Sequence, residues 1–161
     1  MDKKYELTNE TREFQGRVLH RIRALKDFGS VRAGDLGGWV EKEGNLSQLG
    51  ACWVYENALV CGKARVGGKA QVYGNAAITG CMYIQKERDY LTVGPVGSRN
   101  DFTTFAKDQN GNVAVFCGCF YGTLDEFSEK VGATHGNNNF GVEYRAAIEL
   151  AKAHFTEEEE Q

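Results

Sequence analysis

The stretch "VGPVGSRNDFTTF", residues 93 to 105, gathers residue types that bind anions. Gly94-Pro95 and Gly97-Ser98 flank a tight loop whose backbone N–H groups can point at a ligand, and Arg99 offers a planar fork for a phosphate or carboxylate. Ser98, Asn100, Thr103 and Thr104 add neutral donors, so the segment is expected to bind a small anionic ligand of the nucleotide type. The same residues also suit a hairpin loop whose Ser, Asn and Asp satisfy their own backbone. Neither a Walker lysine nor a dinucleotide fingerprint accompanies the loop, so no cofactor is implied.

Other chemistry-bearing residues are sparse. Cys117-Gly118-Cys119 would point two thiols to one face of a strand, but a fourth zinc ligand is not evident; the expectation is structural thiols and no metal. His20, His135 and His154 lie far apart in the chain, with no histidine between residues 21 and 134. "HGNNNFG", residues 135 to 141, is a polar turn with the same two readings as the Arg99 loop.

These groups need a scaffold, and residues 50 to 84 supply the clearest pattern. Val54, Val60, Val66, Val72, Ile78 and Ile84 recur every six residues, each two places after Cys52, Ala58, Ala64, Ala70, Ala76 or Met82. Glycines fall at 62, 68, 74 and 80, giving units of small, any, aliphatic, any, Gly, polar: a hexapeptide signature that excludes an amphipathic helix. Three units per coil would stack Val54 on Val72, Val60 on Ile78 and Val66 on Ile84. Tyr55, Tyr73, Leu59 and Trp53 would then lie on outer faces.

The repeat resembles the left-handed parallel β-helix of hexapeptide-repeat proteins. Its flanks "KYELTNETREFQGRVLHRIRAL" from Lys4, "AGDLGGWVEKEGNLSQLGACWVYENA" from Ala33 and "SRNDFTTF…VFCGCFYGTLDEF…THGNN…AIELAKAHF" resemble a phage and prophage family of uncharacterised function. The resemblance implies homotrimers with parallel axes and ligands held in clefts between neighbours. Acyltransferases of this kind use a repeat histidine as general base, and carbonic anhydrases of this kind need three histidines for zinc. Both are missing from this repeat, so the expected function is non-catalytic: a phage accessory protein that sequesters a small anionic signal or occludes a host defence protein. A hexapeptide-repeat acyltransferase-like enzyme is the alternative.

The expected fold class is mainly β: an N-terminal β-hairpin cap over residues 1–35, a short β-helix over 36–86, an α+β module over 87–155 and an acidic tail over 156–161. A hairpin turning near Gln15-Gly16 is expected to cap the first coil. Asn110-Gly111 marks another hairpin, Thr123 with Glu126 a capping box, and Asn138 or Asn139 the start of a last helix facing its sheet through Tyr144, Ile148, Ala151 and Phe155. Five cysteines, no membrane-length apolar run and "MDKKYELTNE" without a signal-peptide core suggest reduced thiols and a cytosolic setting, with Cys61 and Cys81 partly exposed. Net charge is −3, with an excess of basic residues before residue 33 and of acidic ones after 122, so nucleic-acid binding is not expected. Arg17, Arg21 and Arg23 could present a charged strand face to an anionic partner, and Trp53, Tyr55 and Tyr73 an aromatic one.

Overall fold

In the computed structural model, residues 2–118 and 120–156 are described, so Cys119 and nearly all of the acidic tail lie outside the described residues. The chain divides into two compact units, Met1–Glu87 and Arg88–Gln161.

The first unit begins with a hairpin of β1 (Tyr5–Phe14) and β2 (Arg17–Ala24). Its turn residues Gln15 and Gly16 both take positive φ, 51° and 80°, the twist that suits a two-residue hairpin loop. The pairing is not regular: the register shifts between Leu7 and Thr11 on β1, and again between Arg21 and Arg23 where β2 meets β3 (Leu36–Val40). Along β2, Leu19, Ile22 and Ala24 are all buried, so burial does not follow a strict alternation.

Six two-residue strands follow: β4 (Trp53–Val54), β5 (Leu59–Val60), β6 (Arg65–Val66), β7 (Gln71–Val72), β8 (Ala77–Ile78) and β9 (Tyr83–Ile84). They pair in parallel eighteen residues apart, Val54 opposite Val72, Val60 opposite Ile78 and Val66 opposite Ile84. All six aliphatic residues, and the six small or slim ones two places before them, are buried.

These pairings do not make the expected self-contained left-handed parallel β-helix with a separate hairpin cap. The described strands form a five-stranded mixed sheet, β1-β2-β3-β5-β8, together with two two-stranded parallel sheets, β4-β7 and β6-β9. The hairpin is part of a sheet rather than a lid. Strands of ten and eight residues contribute far more ladder than strands of two, so the antiparallel pairs dominate the largest sheet of this unit.

Polar side chains join the two halves of this unit. Gln48 accepts from the amides of Lys4 (2.7 Å) and Tyr5 (3.2 Å) and donates to the Tyr5 carbonyl (3.2 Å). Buried Asn45 donates to the carbonyls of Gly62 (3.1 Å) and Ala64 (2.8 Å). The Lys4 ammonium, also buried, donates to the carbonyls of Cys52 (2.8 Å) and Gly50 (3.2 Å) and lies over the Phe28 ring. Burial lowers its pKa from the ordinary lysine value. Stacked corners leave room only for glycine: a Cβ on Gly68, at φ +59°, would fall 2.7 Å from the Gln85 carbonyl oxygen.

The second unit is a four-stranded antiparallel sheet in sequence order, β10 (Tyr90–Val96), β11 (Asp101–Lys107), β12 (Val113–Cys117) and β13 (Phe120–Thr123), followed by α1 (Leu124–His135) and α2 (Asn139–Phe155). Asp108 closes the Asn110-Gly111 turn by accepting from the amides of Asn110 (2.9 Å) and Asn112 (3.0 Å). Thr123 and Glu126 form the capping box of α1, and Asn138 caps α2 through the Gly141 amide. The core packs Phe105 and Val115 of the sheet against Phe127 and Val131 of α1 and Tyr144, Ala147, Ile148 and Ala151 of α2. Helix α1 runs on to His135, which carries Thr134 and His135 onto the same face as Lys130 and Val131.

Candidate functional site

A cavity of about 320 Å³ opens in the second unit, at the small end of the range for ligand sites. Its wall comes from four separate stretches of chain. The β10–β11 turn brings Ser98 and Arg99, the end of β12 brings Cys117, and β13 brings Phe120. Helix α1 adds Phe127, Lys130, Val131, Thr134 and His135, and α2 adds Tyr144.

Backbone geometry sets the turn. Gly97 and Asn100 take φ of 78° and 52°, and the Asn100 amide donates to the Gly97 carbonyl at 3.1 Å. The Gly97 amide is held by the Glu143 carboxylate at 2.7 Å, which fastens the turn to α2. Arg99 then lies across Gly118, where a Cβ would sit 3.2 Å from the guanidinium carbon.

Tyr144 is the centre of the polar network. Its hydroxyl lies near the Cys117 thiol and the Ser98 hydroxyl, and both affect its titration. Burial raises its pKa above the ordinary tyrosine value and Cys117 adds to this, against the opposing effects of the Ser98 bond and the Arg99 charge. The ring is therefore a neutral hydrogen-bonding phenol at physiological pH. Thr103 donates to the Cys117 sulfur from behind at 3.3 Å. The His135 ring stacks on Tyr144 with centroids 5.6 Å apart and 25° between planes, and Phe127 meets Tyr144 edge-on at 5.7 Å.

Of the residues expected to bind an anion, Ser98 and Arg99 line the cavity, and Asn100 is exposed in the same turn. Thr103 and Thr104 do not take part: both are buried in β11, where strand pairing carries them away from the turn. Sequence reasoning passed over Lys130 and Thr134, took Tyr144 as a sheet-facing core position only, and left His135 in a turn. The spacing of Lys130 and Thr134, four residues apart, was the available signal, since it places both on one helix face.

The expected interaction residues in the first unit divide similarly. Trp53 is buried against Phe28 (5.2 Å between centroids) and Tyr5 (6.2 Å), and Leu59 and Cys61 are buried as well, which corrects their outward or partly exposed placement; the mixed sheet and its loops cover these positions. Tyr55 and Tyr73 do stack on an outer surface, 4.6 Å apart and 16° between planes. Arg17 pairs with Glu41 and Arg23 with Glu6, and Arg21 donates to the Gly37 carbonyl and lies over the Trp39 ring.

Among the described residues no cluster of three or more His, Cys, Asp or Glu is placed to hold a metal ion, and no helix is long and apolar enough to cross a membrane. His20 bonds the Thr8 carbonyl through Nδ1 at 2.9 Å, and His154 is engaged with Arg88.

No protein-family model matches the chain. It is similar to the uncharacterized acetyltransferase YdcK of Escherichia coli (strain K12), at 36% identity over 90 residues, which cover 50% of this chain and 28% of that protein. The chain thus spans little more than a quarter of the length of the curated relative it matches. This similarity overturns the expectation of a non-catalytic protein, because the relative is named as an enzyme, and it favours the acyltransferase alternative over a phage accessory role.

Proposed function

We propose that the protein is a hexapeptide-repeat acyltransferase-like enzyme that moves an acetyl group from a thioester to a small acceptor. The observation that carries this reading is the 36% identity to a protein named as an acetyltransferase. In such a reaction an acceptor amine or hydroxyl attacks the thioester carbonyl, loses its proton to a base, and the thiol departs. His135 lines this cavity, so it takes the role of proton acceptor, and the repeat's missing histidine ceases to be an obstacle. Tyr144, stacked against its ring, orients it.

Self-association belongs to the same proposal: a homotrimer would cover the stacked Tyr55 and Tyr73, the latter 48% exposed. Sedimentation equilibrium reads it directly, and a monomer at micromolar concentration would remove it.

The deciding experiment incubates purified protein with acetyl-coenzyme A and a panel of amines and alcohols, and follows acetylated products by mass spectrometry. Turnover that falls at least about a hundredfold in His135→Asn supports the reading. Absence of any acetylated acceptor across the panel defeats it, and undiminished turnover in His135→Asn moves the base elsewhere.

A further inference from the structure

The cavity is built as a rim and a floor of different chemistry. Ser98, Arg99, Lys130 and Thr134 are exposed around its mouth, while Phe127, Val131 and Tyr144 are buried beneath. Two basic side chains, one from a turn and one from a helix, thus face the same opening. The lining contains no carboxylate to neutralise them. The nearby Glu143 is engaged by the Gly97 amide.

The floor is aromatic. Phe120 approaches Phe127 at 5.3 Å, Phe127 meets Tyr144 edge-on, and His135 lies parallel to Tyr144. Such surfaces favour a planar ring over an aliphatic chain, because offset and edge-on packing to an aromatic is available only to another flat group. The Tyr144 and Cys117 groups at the back have partners already, so a ring reaching them leaves no polar atom stranded.

We infer that this cavity binds a small ring-bearing anion, with a phosphate or carboxylate head held between Arg99 and Lys130 and a planar ring laid against Phe127, Tyr144 and His135. The size agrees: about 320 Å³ holds one ring and its anionic head, and is too small for a whole coenzyme. In the acyl-transfer reading such a molecule is the acceptor, and that role alone, not the binding, rests on the reading. The thioester donor would meet it from the open side.

The test reads binding alone and so separates the two proposals. Isothermal titration of the full chain is carried out with phenyl phosphate, adenosine monophosphate, benzoate, inorganic phosphate and phenol. Phenyl phosphate, with benzoate or adenosine monophosphate beside it, should bind more tightly than inorganic phosphate or phenol. Arg99→Ala and Lys130→Ala should each weaken the phenyl phosphate affinity roughly tenfold, the loss of one charge-assisted contact. Lys69→Ala, an exposed lysine of the first unit, should leave it unchanged.

Equal binding of phenol and phenyl phosphate would overturn the anionic half of the inference, and equal binding of phenyl phosphate and inorganic phosphate the aromatic half. Thermal unfolding checks that each variant is folded; a folded Arg99→Ala, Lys130→Ala double variant with wild-type affinity would overturn the site itself. Tight ring-anion binding without any acetyl transfer would sink the enzymatic proposal and leave this one standing.

Discussion

The Tyr144 hydroxyl occupies the space that a side chain on Gly97 would fill: a Cβ built there would overlap both the hydroxyl oxygen and the ring carbon that bears it. Gly97 also sits at φ +78°, a backbone conformation that L side chains rarely adopt. Gly97→Ala should therefore lower stability by about 1–3 kcal/mol and displace Tyr144 from Ser98 and Cys117. Chemical denaturation measures the loss. Adding Tyr144→Ala to Gly97→Ala should cost less than the sum of the two single changes, because removing the ring relieves the clash; strict additivity would contradict it.

Val66 pairs with Ile84 on one side and bridges to Leu46 on the other, at 2% exposure. Val66→Asp places a carboxylate with no partner among aliphatic side chains, and should destabilise the first unit by several kcal/mol. Wild-type thermal unfolding in the variant would show that this position is not interior.

Glu41 predicts a pH dependence. Burial alone would raise its pKa, but the Gly62 amide (2.8 Å) and the Arg17 and Lys42 charges outweigh it and hold the carboxyl below its ordinary value of 4.5. A folded-state value depressed below the unfolded one means that the contribution is complete above about pH 4.5 and is lost as the pH falls through the folded value. Glu41→Gln should cost about 1 kcal/mol at neutral pH, and the gap to wild type should narrow below pH 4.5. Denaturation at a series of pH values tests this; a constant gap would rule it out.

Thr123 accepts from the Glu126 amide at 3.0 Å, and Glu126 accepts from the Thr123 amide at 2.9 Å. Thr123→Ala should destabilise the second unit by about 1 kcal/mol and speed amide exchange in the first turn of α1, which supplies one wall of the cavity. Unaltered exchange in that turn would mean the box contributes nothing.

What sequence alone determined is local and periodic. The six-residue recurrence of Val and Ile identified the interior positions and their eighteen-residue partners, because a side chain two places along a strand returns to the same face. The Gln15-Gly16 and Asn110-Gly111 turns and the Thr123 box were legible because each depends on residues within a few positions. Only the tertiary structure decided that the hairpin shares a mixed sheet with β3, β5 and β8, since the repeat period says which side chains face inward but not which strands extend the ladder sideways. It alone put Arg99, Cys117, Lys130 and Tyr144 around one cavity. They lie on a turn, a strand end and two helices, and no spacing in the sequence encodes their meeting; the packing of α1 and α2 on the sheet through Phe105, Phe127 and Ile148 brings them there.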